Sequence, residues 1–272
     1  GTIAGNLDGA GAITAASGTT DITGTVTNAS GLTVSGGTVN VTGAGTVDTS
    51  GNLITISSGT LATDTDALAN NETVSISGGS YNVSGTDTIA ALTQSGGVVD
   101  GAGTLTTTGA FTQSGGTTGG AVNIDSATFT QSGGGIIAAG TSVTSTGAQS
   151  LQGGTIAGNL DGAGAITAAS GTTNITGAVT NAASFSVTGG TVNVNGAGTI
   201  DTAGNTVSVS AGALSTDGGA LEAAATATVS GTGTLLTSGT EAITAINQTG
   251  GTVGGSGTFN LSGAFTQSGG TT

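Results

Sequence analysis

Apolar residues in this chain alternate with polar ones in runs of four or five, and each run stops at Gly or Asn. The segment from Leu32 to Asn52, LTVSGGTVNVTGAGTVDTSGN, shows the pattern most clearly. Leu32 and Val34 alternate with Thr and Ser, Val39 and Val41 do the same, and Val47 follows. Gly36-Gly37, Gly43-Ala44-Gly45 and Ser50-Gly51-Asn52 separate the runs. Period-two alternation bounded by such residues predicts short strands joined by tight turns. Only ALEAAATA, from Ala220, reads as helical. Its counterpart earlier in the chain is ALANNETV, where Asn70-Asn71 is turn chemistry, so loop or strand is expected at both places.

One phrase keeps returning. It reads LTVSGG from Leu32, VSISGG from Val74, LTQSGG from Leu92 and FTQSGG from Phe111, Phe129 and Phe265, with FSVTGG from Phe185 and INQTGG from Ile246 as variants. Neighbouring copies lie about 18–22 residues apart, or two to three times that, which is the spacing of a repeat architecture whose units bury their apolar faces only against one another. Three short strands in about 20 residues describe one rung of a parallel β-helix, with inward Val and Ile filling a narrow core and small Thr and Ser outside. The expected fold is therefore an all-β, right-handed parallel β-helix, or β-solenoid, of roughly 13–14 rungs with little or no helix; the hand follows from the strong preference of parallel crossovers. At about 4.8 Å per rung, such a stack would be on the order of 65 Å long.

The rungs sit inside a larger duplication. Residues 1–118 recur as 154–272, with one extra residue entering after the segment around Ile76, and 119–153 are intervening rungs. GTIAGNLDGAGAITAASGTT appears identically from Gly1 and from Gly154. One continuous solenoid over 1–272 is expected, cut from a tandem array with a period of about 154 residues. The start at Gly1 rather than Met, the missing signal peptide, and the stop part-way through the second unit suggest a piece of something longer. Further repeats of the same chain, or like chains end to end, are the partners expected at its edges.

Composition narrows the function. The 272 residues include 56 Gly but no Pro, Cys, Met, Trp, Lys, Arg or His, and the formal charge is −14. Without cations the chain cannot neutralise phosphates, so nucleic acid is excluded as a partner, and anionic membrane surfaces would repel it. Every Asp and Glu must face water, hydrogen-bond donors or a metal ion. A nucleophile activated by His, or a Cys–His pair, is impossible.

The remaining chemical candidates are acids and threonines. Asp64 and Asp66, two apart, could form a carboxylate pair of the kind glycosidases use, but in the second copy they correspond to Asp217 and Gly219, so solvated acids at a corner are the expectation. Asp64, Asp66 and Glu72, with Asn70 and Asn71 between, have oxygen density suited to Ca²⁺. The spacing matches no EF-hand, and the second copy keeps only Asp217 and a displaced Glu222. The Thr-x-Thr pairs Thr25/Thr27, Thr63/Thr65, Thr86/Thr88 and Thr104/Thr106 could present an ice-binding lattice, but each loses one member in the second copy. No catalytic, cofactor-binding or metal residue is assigned. What both copies keep is apolar, Gly or amide: Val39 and Val41 match Val192 and Val194, and Gln94 and Gln113 match Gln248 and Gln267.

Gln94, Gln113 and Gln131 lie two residues after Leu92, Phe111 and Phe129, so period two places each amide on the inward face or at the corner. There the amides are expected to satisfy one another as a ladder, with Phe111 and Phe129 stacked beside them.

The phrases LTVSGGTVNV, GAGTLTTTG and FTQSGG resemble the repeat regions of filamentous-haemagglutinin-like and autotransporter-type bacterial surface proteins, and the likeness covers essentially the whole chain. The resemblance implies a right-handed β-helix, secretion, an extracellular or cell-surface location, and a role in adhesion or in reaching away from the cell. The reading reached is a non-enzymatic stalk or fibre segment of a giant surface protein. Its alternatives are the subunit of an end-to-end filament or sheath, and a passenger that binds or cleaves surface glycans.

Overall fold

The turn that contains Leu32 shows how the sequence becomes structure. In the computed structural model, which describes every residue except Ala10, the strand Leu32–Val41 is followed by Thr46–Val47, and the next turn repeats this one step along. Leu32 pairs in parallel with Ile54 and Val34 with Ile56, and beyond the glycines Val39 pairs with Leu61. The ladder shifts register between Val34 and Ser35 and between Ser35 and Thr38. The Gly36-Gly37 step is therefore a bulge inside one bent strand, whereas at Ser77–Gly79 the same phrase separates two strands, Thr73–Ile76 and Ser80–Val83.

Repeating this unit gives an all-β parallel β-solenoid of about 14 turns with no helix among the described residues. The segment around Ala220 holds a β-bridge at Leu221, a turn, and the strand Thr226–Val229, and Asn70-Asn71 form a turn. The chain divides into two compact units, Gly1–Thr128 with Gly135–Val143, and Phe129–Gly134 with Thr144–Thr272. Each is built from stacked parallel strands whose inward side chains meet from turn to turn.

In the first unit one inward column runs Val39, Leu61, Tyr81, Val99, Thr118, Ile137, in register from turn to turn and buried throughout. In the second, Val192, Leu214, Leu235 and Val253 stack in the same manner. Each Val, Leu or Ile of these columns contributes about 1.5–3 kcal/mol by leaving water.

The second Gly of the repeated phrase is a steric requirement. Gly97 has φ +63, and a Cβ there would lie 2.5 Å from the Gly79 carbonyl oxygen one turn away. That oxygen accepts the Val98 N–H at 2.9 Å, so the close approach is the rung-to-rung hydrogen bond itself. The extra residue of the second copy is absorbed at this same corner. Ser77-Gly78-Gly79 becomes Ser230-Gly231-Thr232-Gly233, closed by a Gly233 N–H bond to the Ser230 carbonyl (2.9 Å), and the strands on either side keep their stacking.

Among the described residues, five other than Gly adopt positive φ: Asn28, Ser50, Asp66, Asn181 and Ala203. Ala203 (φ 50) is the counterpart of Ser50 and donates its N–H to Asp201 Oδ1 at 2.6 Å, as Ser50 does to Asp48. Alanine gains nothing locally from that conformation. Ala203→Gly is expected to raise stability by about 0.5–1 kcal/mol, the left-handed strain less the extra freedom of Gly in the unfolded chain; thermal unfolding reads it.

Candidate functional site

Four sets of side chains depart from the apolar-in, hydroxyl-out rule: the inward glutamines, the inward acids, the polar corners and a few inward threonines. The glutamines follow the sequence expectation in place but not fully in pairing. Gln94, Gln113, Gln131 and Gln248 are all buried. Gln113 Nε2 donates to Gln94 Oε1 (3.0 Å), the amide-to-amide contact expected, and Thr118 Oγ1 donates to the same oxygen at 2.8 Å. The partner that recurs is a backbone carbonyl 23 or 24 residues ahead: Thr117 for Gln94 (3.0 Å), Ile136 for Gln113 (3.1 Å), Thr155 for Gln131 (3.2 Å) and Thr271 for Gln248 (2.8 Å). Each amide thus clamps the end of its strand to a strand start or, at Thr271, an isolated β-bridge in the following turn.

Gln149 is a different case. It sits in the apolar column between Phe129 and Ile166, is buried, and has no hydrogen-bond partner for either amide atom among the described residues. Leaving such groups unmet costs about 1–3 kcal/mol, so Gln149→Leu is expected to stabilise the fold by about that amount; a chemical-denaturation midpoint that falls would refute it.

The acids replace missing backbone partners. Asp87 is fully buried and accepts the N–H groups of Ala67 (2.8 Å) and Leu68 (3.3 Å), with Tyr81 Oη at 3.4 Å. Ala67 and Leu68 lie where the third strand of their turn shrinks to a single bridge between Val47 and Leu68. In the second copy Glu241 does the same for Ala220 (3.3 Å) and Leu221 (3.1 Å). Glu72, also buried, accepts the Thr49 N–H at 2.7 Å and the Thr49 hydroxyl. Its role in the second copy falls to Glu222, which accepts Thr202 N–H (3.2 Å) and Gly204 N–H (3.0 Å) from a different place in the sequence.

Burial pushes the Asp87 carboxyl above the usual range, against the opposing hydrogen bonds from the Leu68 and Ala67 N–H groups and the Tyr81 hydroxyl. Glu72 is raised for the same reason, opposed by Thr49 and Gly51. The Tyr81 phenol is driven well above its ordinary value by burial and then by the Asp87 charge.

Outside, the acids also bind neighbours one turn away. Asp8 accepts Thr27 (3.2 Å) and Asn28 (2.8 Å), and Asp161 accepts Thr180 (3.0 Å) and Asn181 (2.9 Å). Asp64 takes the Gly43 N–H and Asp217 the Gly196 N–H, both at 2.6 Å. The trio considered for calcium does not converge. Asp64 bonds to Gly43, Asp66 is exposed, and Glu72 turns inward to Thr49. No group of three or more His, Cys, Asp or Glu among the described residues could hold a metal ion.

Small polar side chains form outward columns. In the first unit Thr14, Thr33, Thr55, Ser75, Thr93 and Thr112 stack in register. In the second, Ser150, Thr167, Ser186, Ser208, Thr228 and Asn247 do so. Threonine is not only outward, however. Thr63, Thr107, Thr118 and Thr237 are buried, and Thr107 and Thr237 return their hydroxyls to the carbonyls of Gly109 (3.3 Å) and Gly239 (3.4 Å). The paired Thr-x-Thr rows Thr86/Thr88 and Thr104/Thr106 stack on each other, but the corresponding rows in the second copy put Ala242 on Asn260.

Asp87 and Glu241 were visible in the sequence by parity: each lies two residues before an inward Ile, Ile89 and Ile243, and both copies keep an acid there, as they do at Asp8/Asp161 and Asp64/Asp217, so the shared positions are not confined to apolar, Gly and amide residues. Comparison of the sequence with family models, curated proteins and solved structures returns no match. No described helix is long and apolar enough to cross a membrane.

Proposed function

We propose that this chain is a non-enzymatic, load-bearing segment of a very large extracellular protein on a bacterial surface, a stalk or fibre on which other regions are carried outward. One observation carries the reading. The buried acids Asp87, Glu72 and Glu241 and the amides of Gln94, Gln113, Gln131 and Gln248 are engaged in holding loops and turns together, and the second copy keeps those jobs even where the residue has changed, as from Asp87 to Glu241, or moved, as from Glu72 to Glu222. Two copies that keep their stacking and the contacts that hold their turns fit a mechanical part. The absence of Lys and Arg, which leaves trypsin-like proteases no cleavage site, suits exposure outside a cell.

Immunogold labelling of intact, unpermeabilised cells that make the protein tests the location. Gold is expected on the surface and away from the envelope. Labelling that appears only after permeabilisation would overturn the proposal. A polysaccharide array with the same chain separates the glycan-passenger reading, which requires saturable binding; the stalk reading expects none.

A further inference from the structure

The chain contains a single Asn-Gly pair, Asn195-Gly196, and it stands at an exposed turn between the strands Thr191–Val194 and Thr199–Ile200. Asn-Gly is chemically labile. The Gly196 nitrogen can attack Asn195 Cγ, forming an N–Cγ bond while the Cγ–Nδ2 bond breaks. The Gly196 amide hydrogen departs with Nδ2 as ammonia, and water then opens the ring at either carbonyl to give Asp or isoaspartate. The attacking nitrogen must lose its proton, and Gly must leave the next position free of a side chain that would block the ring.

In this structure that nitrogen is occupied. Gly196 N–H donates to Asp217 Oδ2 at 2.6 Å from the following turn. Asn195 N–H is bound to the Ile175 carbonyl and Gly198 N–H to the Asn195 carbonyl, each at 3.0 Å, and Gly196 is held at φ +65. A carboxylate on the N–H takes up the hydrogen in a charge-assisted bond, and its negative charge opposes leaving a second anion beside it. The first copy has the same clamp, Asp64 Oδ2 on Gly43 N–H at 2.6 Å, around Thr42, which has no amide to lose.

We propose that Asn195 is the chain's deamidation site and that Asp217 is its guard, so that the modification reports opening of this one turn. Site-resolved mass mapping after an elastase digest, with isoaspartyl methyl-transfer labelling, follows the reaction during incubation at neutral pH. In the native chain conversion of Asn195 is expected to be slower than in the urea-unfolded chain by about tenfold or more, the change that about 1.4 kcal/mol of turn opening produces. Asp217→Ala is expected to return the rate at Asn195 most of the way to the unfolded value while the β circular-dichroism signal persists.

Should Asp217→Ala unfold the chain, the first copy decides. Thr42→Asn creates a second Asn-Gly under Asp64, expected to be protected, and Thr42→Asn with Asp64→Ala is expected to be labile. Equal rates in native and unfolded chain, or rates indifferent to Asp217 and Asp64, would overturn the proposal.

Discussion

Replacing Gln113 by Glu is expected to cost about 3–5 kcal/mol at neutral pH, because it buries a charge in a chain with no Lys, Arg or His to meet it. The amide nitrogen of Gln113 serves three acceptors: Gln94 Oε1 at 3.0 Å, Thr118 Oγ1 at 3.2 Å and the Ile136 carbonyl at 3.1 Å. A carboxylate would face those oxygens with nothing to donate. Gln113→Leu removes the donor without adding charge. Gln94 Oε1 keeps its bond from Thr118, so the loss is centred on the Ile136 carbonyl, and about 1–3 kcal/mol is expected. Urea unfolding of the three chains side by side checks the order. A Glu variant as stable as the Leu variant would show that this column is wet.

The second large effect is on pH. Asp87 and Glu72 hold their protons more tightly in the folded chain than in the unfolded one, because burial outweighs the N–H and hydroxyl donors that favour the anion. A raised acid contributes stability that is fully present below the unfolded carboxylate value, about 4, and is lost as pH rises through the folded value. Acidification from neutrality toward about pH 4–5 is therefore expected to raise the melting temperature, the reverse of common acid denaturation. Asp87→Asn keeps an acceptor for Ala67 and Leu68 and never ionises, so it should flatten this slope and be no less stable than the parent at neutral pH. Asp87→Ala leaves both N–H groups unmet and should cost about 1–3 kcal/mol for each at every pH. Differential scanning across the range reads all three; a melting temperature that falls steadily on acidification would contradict the assignment.

These effects also mark what the sequence could and could not tell. Alternation and Gly spacing were enough for the strands, the parallel stacking and the inward side of Gln94 and Gln113, since period two and a turn of about 20 residues leave little freedom. The Gly36-Gly37 bulge was read as a turn because the sequence does not reveal that the hydrogen-bond ladder continues through it. The acids were harder for a different reason. Asp64, Asp66 and Glu72 look like neighbours along the chain, but in a solenoid a side chain's neighbours lie a whole turn away. Glu72 meets Thr49, 23 residues back, and Asp64 meets Gly43, 21 back. Asp87 was passed over because acids are ordinarily solvated, and only its parity with Ile89 argued otherwise. The glutamine clamp on a carbonyl 23 residues ahead depends on where a corner brings backbone oxygens, which no local pattern encodes.

The central claim, that the stacked turns themselves are what this chain is for, is met most directly by pulling on it. With the chain tethered by its two ends in a constant-force instrument, it should resist at low force and then lengthen in discrete, reversible steps. The step size should be one turn or a small multiple of it, roughly 70 Å for 20 extended residues, as expected when each repeat is held mainly by its neighbours. Smooth extension at low force, with no steps and no plateau, would mean that the turns carry no load, and the structural account would fail.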